Sequence, residues 1–481
     1  MAPGGVIRGR LVADGGVEDD RSAESVVAGP GAAADARRCG CAGKTPLDRV
    51  VLPARERVAS ALEGTSVRLG PDSDAAVLDS GVAPAEVERA VEGVALGDER
   101  PAVPFDGDAD GRQVVTLACA FVGDDFADPD RLGDALATAY AGLDGPEVTI
   151  GKGHAVQIPD IDGGFLWLEH LRATEPTGST DETHSTDAGA RGVAANLDAV
   201  HAFPDLPPPE QARIAALNAC NDVYASGATA DRIIRPVVAA PADARPSPGR
   251  VTDWFRAGLP ADATVLSGSV LTHEGESWVL GASVVAGGRT SRDEPSLPTD
   301  CDVLVTRPLG GLAAFALGTL SGDSGLRALG RDRLGRDALP VAAALAACRP
   351  DPKEPFDPAR HVARVTDVSG EGIAGVGRLA ARDGRSLRLD RLPLHDAVAS
   401  TTADRWAIPD ATVETNGPFA VIATPSALAR VTERLRDVAG ANPVRIGTLD
   451  RADEPILDAT GADLSRFVEA AARWPRAGDA R

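Results

Sequence analysis

Along the chain, hydrophobic positions switch between a spacing of about two residues and one of about 3.6, the periods that separate strands from helices. "PLDRVVLPARERVASALE" (46–63) has the helical spacing, and "SDAAVLDSG" (73–81) reads as a strand running into a turn. Residues 82–165 predict a small α/β insertion: a helix in "VAPAEVERAVEGVAL", a strand in "RQVVTLACAFVG", a helix in "DPDRLGDALATAYAGL" and a strand in "EVTIGKGHAVQI". The stretch 172–192 is polar and turn-rich and reads as an exposed loop. "PPPEQARIAALNACNDVYASGA" is a proline-started helix closed by Gly227. "DRIIRPVVAA" and "TVLSGSVLTHEGESWVLGASVVAG" read as strands, and "GGRTSRDEPSLPTDCD" (287–302) as a linker-like break. Beyond it come a buried strand in "VLVTRPLGG", a strand–loop–helix unit in "ARVTDVSGEGIAGVGRLAARDG", and strand, helix and strand in "FAVIATP", "SALARVTERLRDVA" and "NPVRIGTL".

This alternation predicts an α/β (α+β) protein divided near residue 290. Residues 1–36, rich in Gly, Ala, Asp and Glu with little periodicity, read as a flexible acidic arm. Residues 37–290 then form an N-terminal domain and 291–481 a C-terminal α/β domain.

Composition narrows the function classes. With 71 acidic against 49 basic residues, the net charge is −22, which excludes a nucleic-acid binder working through a basic surface. Arginine supplies nearly all the positive charge, since only Lys44, Lys152 and Lys353 are lysines. An acidic, lysine-poor, aspartate-rich surface looks like that of proteins from salt-rich cytoplasms; the alternative is simply an acidic protein from a GC-rich genome. No apolar run of membrane-spanning length occurs, and the first residues lack the features of a secretory leader, so a cytoplasmic protein without membrane contact is expected. The six cysteines are scattered, which predicts thiols rather than a disulfide framework.

Two cysteines have an unusual setting: Cys39 and Cys41, in "RRCGCAGKTP" (37–46), lie beside Lys44. A phosphate-binding P-loop is excluded because position 38, where its first glycine belongs, is arginine. Zinc is disfavoured because no second Cys/His pair of suitable spacing follows. What remains is a reactive thiol beside a cation that lowers its pKa, or a loop without function. Four aspartates occupy settings that chemistry favours. Asp74 precedes a strand, Asp187 lies in a glycine-bearing loop, and Asp222 shares a helix face with Asn218. Asp367 ends a strand that enters a helix through glycines, where free N–H groups attract phosphate and a carboxylate holds its magnesium. Each is equally a turn former or helix cap when taken alone.

In this order the pieces resemble selenophosphate synthetase (selenide, water dikinase), within the aminoimidazole-ribonucleotide-synthetase-like ATP-binding family. "RCGCAGK" is similar to the family's Cys-Gly-Cys-Lys, "DSDAAV" to Asp-Asp-Ala-Ala-Val, and "STDAG" to Thr-Thr-Asp. "NACNDVYASGA" fits Asn-Ala-x-x-Asp-x-x-Ala-x-Gly, and "VLVTRPLGG" resembles Leu-x-Leu-Thr-Lys-Pro-Leu-Gly. "TDVSGEGIAG" and "ETNGPFAVIA" resemble the late glycine loops, so the resemblance spans residues 39–423.

The resemblance implies two similar mixed α/β domains with ATP between them, and a homodimer. It implies Cys39 and Lys44 as catalytic residues, with Asp74, Asp222 and Asp367 as magnesium ligands. Asp187, Asn218, Thr366, Gly370 and Gly372 would contact ATP. The implied reaction turns ATP, selenide and water into selenophosphate, AMP and phosphate, with potassium dependence. The alternatives are a related ATP-dependent enzyme of sulfur or cofactor metabolism, or a non-catalytic nucleotide-binding or thiol redox protein. The chain departs from the family where Lys44 stands two residues late, Gly268 alone survives of a Gly-Gly-His-Ser segment, Glu371 replaces phenylalanine, and Asn416 and Pro418 replace Ser and Gly.

Overall fold

In the computed structural model the described residues are 192–290, 294–351, 354–391, 394–402, 412–451 and 456–457, with shorter segments between 36 and 173, among them 38–44, 50–65, 75–78, 147–151 and 153–158. The acidic arm to residue 35, Asp74, and the loop 174–191 with Asp187 lie outside them. The helix read at 46–63 is α1 (Val51–Ala61).

The first large sheet has the order β6–β5–β8–β4–β1: β1 is Ala76–Leu78, β4 Gly192–His201, β5 Ala228–Pro241, β6 Thr264–Val265 and β8 Val279–Gly288. β7 (Ser269–His273) also pairs with β5, in parallel, and β4, β5 and β8 run antiparallel. β5 tolerates Pro236, which has no N–H to give, because its neighbour on that edge breaks between Val265 and Ser269.

Helix α2 (Pro208–Ala225) covers one face of this sheet. Pro208 stands in the first turn, and small residues (Ala212, Ala215, Ala216, Ala219, Cys220) let the helix sit close to the strands. α3 (Pro248–Gly258), capped by Ser247, packs beside it. β4 is buried along its whole length. Its odd-numbered residues Leu197 and Ala199 join Val156, Ile158 and Phe165 of a smaller sheet on the opposite face.

That smaller sheet corrects the reading of 147–158 as one strand. Glu147–Ile150 pairs in a separate three-stranded sheet, while β2 (His154–Gln157) pairs with β3 (Gly164–Trp167). The break falls at Gly153, whose φ of 75° is a left-handed conformation that L side chains rarely adopt. Likewise 112–123 is two strands, Val114–Val115 and Ala120–Val122, in different sheets, and Val87–Glu88, read within a helix, pairs with Val114–Val115. In this region two- and three-residue pairings across the chain override the local period.

The second large sheet has the order β10–β12–β9–β13–β11–β14, from Arg364–Asp367, Phe419–Ala423, Asp302–Val305, Val444–Asp450, Ser386–Leu389 and Ile456–Leu457. It is antiparallel except for β11–β14. Helices α4 (Gly311–Ser321), α5 (Ser324–Leu334), α6 (Leu339–Ala346), α7 (Gly372–Ala381) and α8 (Pro425–Leu435) accompany it. The molecule is thus mixed α/β in both halves, as the alternation predicts. The main hydrophobic core continues from α2 and the first sheet to Phe315, Val341 and Phe419 of the second half, with Phe203 and Phe315 packed edge to face at 5.4 Å. Among the described residues no helix is long and apolar enough to cross a membrane.

Candidate functional site

The segment 38–44 is pinned between the two halves. Gly40 and His201 exchange backbone hydrogen bonds of 2.9 and 3.3 Å at the end of β4, and Lys44 bridges to Val156 on β2. Between these ties Cys41–Gly43 forms one 3-10 turn. Gly43 has to be glycine, because a Cβ there would lie 2.1 Å from His201 Cδ2 and 2.4 Å from the Arg38 carbonyl oxygen.

The turn inserts its side chains among polar groups from four elements. Cys41 N–H donates to Thr415 Oγ1 at 2.7 Å, and its thiol donates to Asn218 Oδ1 at 3.4 Å. Lys44 Nζ lies 2.5 Å from Asp198 Oδ2. Asn218 Nδ2 donates to the same Asp198 oxygen, and Ala199 N–H donates to Asp198 Oδ1 at 2.7 Å. Asn196 Nδ2 donates to Asp222 Oδ2 at 2.5 Å. Asn196 and Asp198, two apart on β4, share the strand face that meets Asn218 and Asp222, four apart on α2. His154, at the start of β2, stands between the carboxylates, 3.9 Å from Asp198 and 4.0 Å from Asp222. Asn196, Asp198, Asn218 and Asp222 are all at most 1% exposed.

The second half closes over this group. A Cβ on Gly370 would lie 3.4 Å from Lys44 Cδ and 3.5 Å from Cys41 Cβ, so the loop after β10 rests on both side chains. Asn416, in a left-handed conformation (φ 55°), donates its N–H to Asn218 Oδ1 at 3.1 Å, and Asn221 Nδ2 donates to the Gly417 carbonyl at 3.2 Å. Glu414 accepts the N–H groups of Gly310, Gly311 and Leu312 at 2.5–3.0 Å. The positive end of α4 is therefore occupied by the chain's own carboxylate.

Charge in the site follows from burial set against pairing. Burial would lower the Lys44 ammonium's pKa, but Asp198, Cys41 and Asp222 outweigh it and hold the ammonium above its ordinary value. Burial likewise works against the Asp198 carboxylate, yet His154 and Lys44 keep it below the usual range. Cys41 goes the other way. Burial pushes its thiol to about 11, with Asp198 and Asp367 reinforcing it, and the opposing pull of Lys44 does not win. This corrects the expectation that the neighbouring lysine yields a low-pKa thiol: desolvation of a wholly buried sulfur exceeds the attraction of one ammonium already paired with a carboxylate.

Of the residues singled out from the sequence, the fold brings Lys44, Asn218, Asp222, Asp367 and Gly370 together. The Cys39 thiol instead donates to the Ala36 carbonyl at 3.3 Å, and Cys41 is the cysteine that meets Asn218. Thr366 lies on β10 beside Asp367, and Gly372 begins α7 after a turn closed by its N–H to the Ser369 carbonyl. Sequence reasoning missed Asn196, Asp198, His154 and Thr415. The signal for the first two was present: polar residues two apart in an otherwise apolar strand, just ahead of the proline-started helix.

A divalent cation fits the donor set. Asp198 and Asp222, with His154, present atoms within 4.8 Å of one another. Asn196 Oδ1 is buried with no hydrogen-bond partner among the described residues.

No protein-family model matches the chain, and no curated protein matches it. Solved structures do. The protein tt0281 from Thermus thermophilus has a TM-score of 0.44 at 18% identity, over 58% of this chain and 88% of that one. HypE from E. coli, a hydrogenase maturation protein, gives 0.43 at 17% over 57% and 88%. Thiamine-monophosphate kinase from Stenotrophomonas maltophilia K279a gives 0.41 at 17% over 57% and 88%.

Proposed function

We propose that this chain is an ATP-dependent phosphotransferase of the selenophosphate-synthetase-like kind, acting on selenide. The observation that carries the reading is Lys44, an ammonium buried against Asp198 and covered by the Gly370 loop, with Asp222 and Asp367 close by. The ordered motifs from residue 39 to residue 423 supply the reaction class.

In this reading Asp198 and Asp222 hold magnesium, and Asp367 adds a carboxylate at the edge of the same site. Magnesium would neutralise phosphate charge and orient the triphosphate. Lys44 keeps its proton on Nζ and carries a fixed positive charge toward a phosphoryl group losing its bond to the leaving oxygen. Asp198 takes the place in the motif order for which Asp187 was read from the sequence. The resemblance gives the thiol role to Cys39, whereas the contacts favour Cys41. In the closed arrangement Cys41 keeps its proton on sulfur, so it acts as a hydrogen-bond donor until the loop lifts and hydrates it.

The test is phosphorus NMR of the full chain with ATP, magnesium and selenide in concentrated potassium chloride, which suits its acidic surface. The expected result is a selenophosphate resonance with AMP and phosphate, with Cys41→Ser costing more rate than Cys39→Ser. Product from sulfide but not selenide would move the chain to sulfur metabolism. ATP left intact with both would overturn the reading.

A further inference from the structure

The acidic site contains an imidazole that the magnesium reading does not use. His154 is 5% exposed and presents Nδ1 toward Asp198 Oδ1 at 3.9 Å and Nε2 toward Asp222 Oδ2 at 4.0 Å. Both separations exceed a hydrogen bond. Neighbouring ligands on one cation with metal–ligand bonds of about 2.1 Å stand roughly 3.0–3.4 Å apart, so the ring and a carboxylate need close by less than about 1 Å to share an ion.

A ring set between two carboxylates can bind an ion through one nitrogen while the other nitrogen's N–H faces a carboxylate, which orients the ring and raises its basicity. Asn196 Oδ1, buried beside Asp222 and without a hydrogen-bond partner among the described residues, is a further neutral oxygen donor. Asp198 and Asp222 are two buried carboxylates on either side of the ring, and Lys44 stands 2.5 Å from Asp198. Placement is built in, since the left-handed Gly153 turns the chain into β2, and the bridge from Val156 to Lys44 ties that strand to the loop.

Magnesium takes oxygen ligands and keeps several waters, whereas imidazole nitrogen suits first-row transition ions. We propose that His154 is a specificity-determining ligand. With Asp198 and Asp222 it makes this a site for a divalent first-row transition ion, for which manganese(II) serves as the spectroscopic probe, and in the metal-free chain Lys44 is the resident cation that such an ion displaces from Asp198. This rests on the phosphotransferase reading only for where the ion acts; binding is a property of the chain without nucleotide.

The experiment titrates manganese(II) into the full chain without ATP, following the ion by electron paramagnetic resonance and its ligands by electron-spin-echo modulation. One tight site is expected, carrying the modulation of a coordinated imidazole nitrogen, with magnesium competing only in large excess. His154→Ala removes that modulation and weakens manganese binding roughly 10–100-fold, while circular dichroism shows an unchanged fold. Lys44→Met tightens binding, by about tenfold if the ammonium is the competing cation. Manganese bound without nitrogen modulation, or magnesium competing as an equal, overturns the proposal and leaves magnesium–ATP use standing. No manganese binding in a chain that still turns over ATP also overturns it.

Discussion

Helix α2 serves two buried polar clusters that are built on opposite terms. On one side Tyr224 accepts a hydrogen bond of 2.7 Å from Arg232, whose guanidinium also reaches Asp337 at 3.0 Å and Asp262 at 2.8 Å. Arg232 is buried, but the Asp262 side chain is 62% exposed, so the surplus negative charge is solvated and the buried part is balanced. On the other side Asn218 and Asp222 meet Asn196, Asp198, Lys44 and His154, where two wholly buried carboxylates face the Lys44 ammonium and the His154 ring. The first cluster ties β5 to the second half and is complete as it stands. The second holds two wholly buried carboxylates and, among the described residues, an amide oxygen without a hydrogen-bond partner, a state that costs stability and has reason to persist where a cation is to be bound.

Asp222→Asn should separate the two most sharply. Removing one of two neighbouring buried carboxylates relieves repulsion, so the unfolding free energy should hold or rise by up to about 1 kcal/mol, and the melting temperature with it. ATP turnover should fall by roughly 10²–10³-fold, the usual loss when a charge-stabilising group leaves a site. Thermal melts and steady-state rates on the same preparation check both. A variant that melts much lower while keeping its rate would make this cluster structural after all.

Arg232→Met is the mirror experiment. It leaves Asp337 and the Tyr224 hydroxyl without their cation in a poorly solvated place, while Asp262 returns to water. The expected cost is about 3 kcal/mol, at the lower end for breaking a buried pair because one partner is exposed. Denaturant unfolding measures it, and the folded variant should retain its nucleotide affinity. Equal stability with lost nucleotide binding would contradict the division drawn between the clusters.

Where the site could be read from sequence, the cause was local, and where it could not, the cause was distance or burial. α2 was legible because proline opens it and Gly227 closes it; the strand–glycine–helix run to Asp367 and α7 was legible because its period changes across a glycine loop. Asp198 was hidden because β4 is buried on both faces, so its alternation of apolar and polar residues carries no solvent side to mark. His154 was hidden by Gly153, since one left-handed residue divides what reads as a single strand and sends its second half to another sheet. Cys41 could not be told from Cys39 by spacing, because the difference is contact with Asn218 and Thr415, 177 and 374 residues away. The thiol's direction of shift was misread for the same reason, as burial is not written in neighbouring letters.

A third effect, confined to acid pH, tests how the loop is held to the site. His201 is buried, and burial lowers its pKa from 6.5 to about 4, so the folded chain keeps the ring neutral where the unfolded chain begins to protonate. The native state then binds fewer protons than the unfolded state between those values. Stability is at its full value above pH 6.5 and falls as the pH drops toward 4, by at most roughly 3 kcal/mol from this group. In His201→Asn that increment should vanish. The difference in unfolding free energy between the two proteins should therefore change with pH between 6.5 and 4, and stay constant above 7. Because His201 pins Gly40 and touches Gly43, the same acid window should open the segment 38–44 first. Alkylation of Cys41, sampled across that window, should rise in wild type before global unfolding begins. Parallel stability curves for the two proteins from pH 7 to pH 4 would show that His201 does not sense pH in the fold.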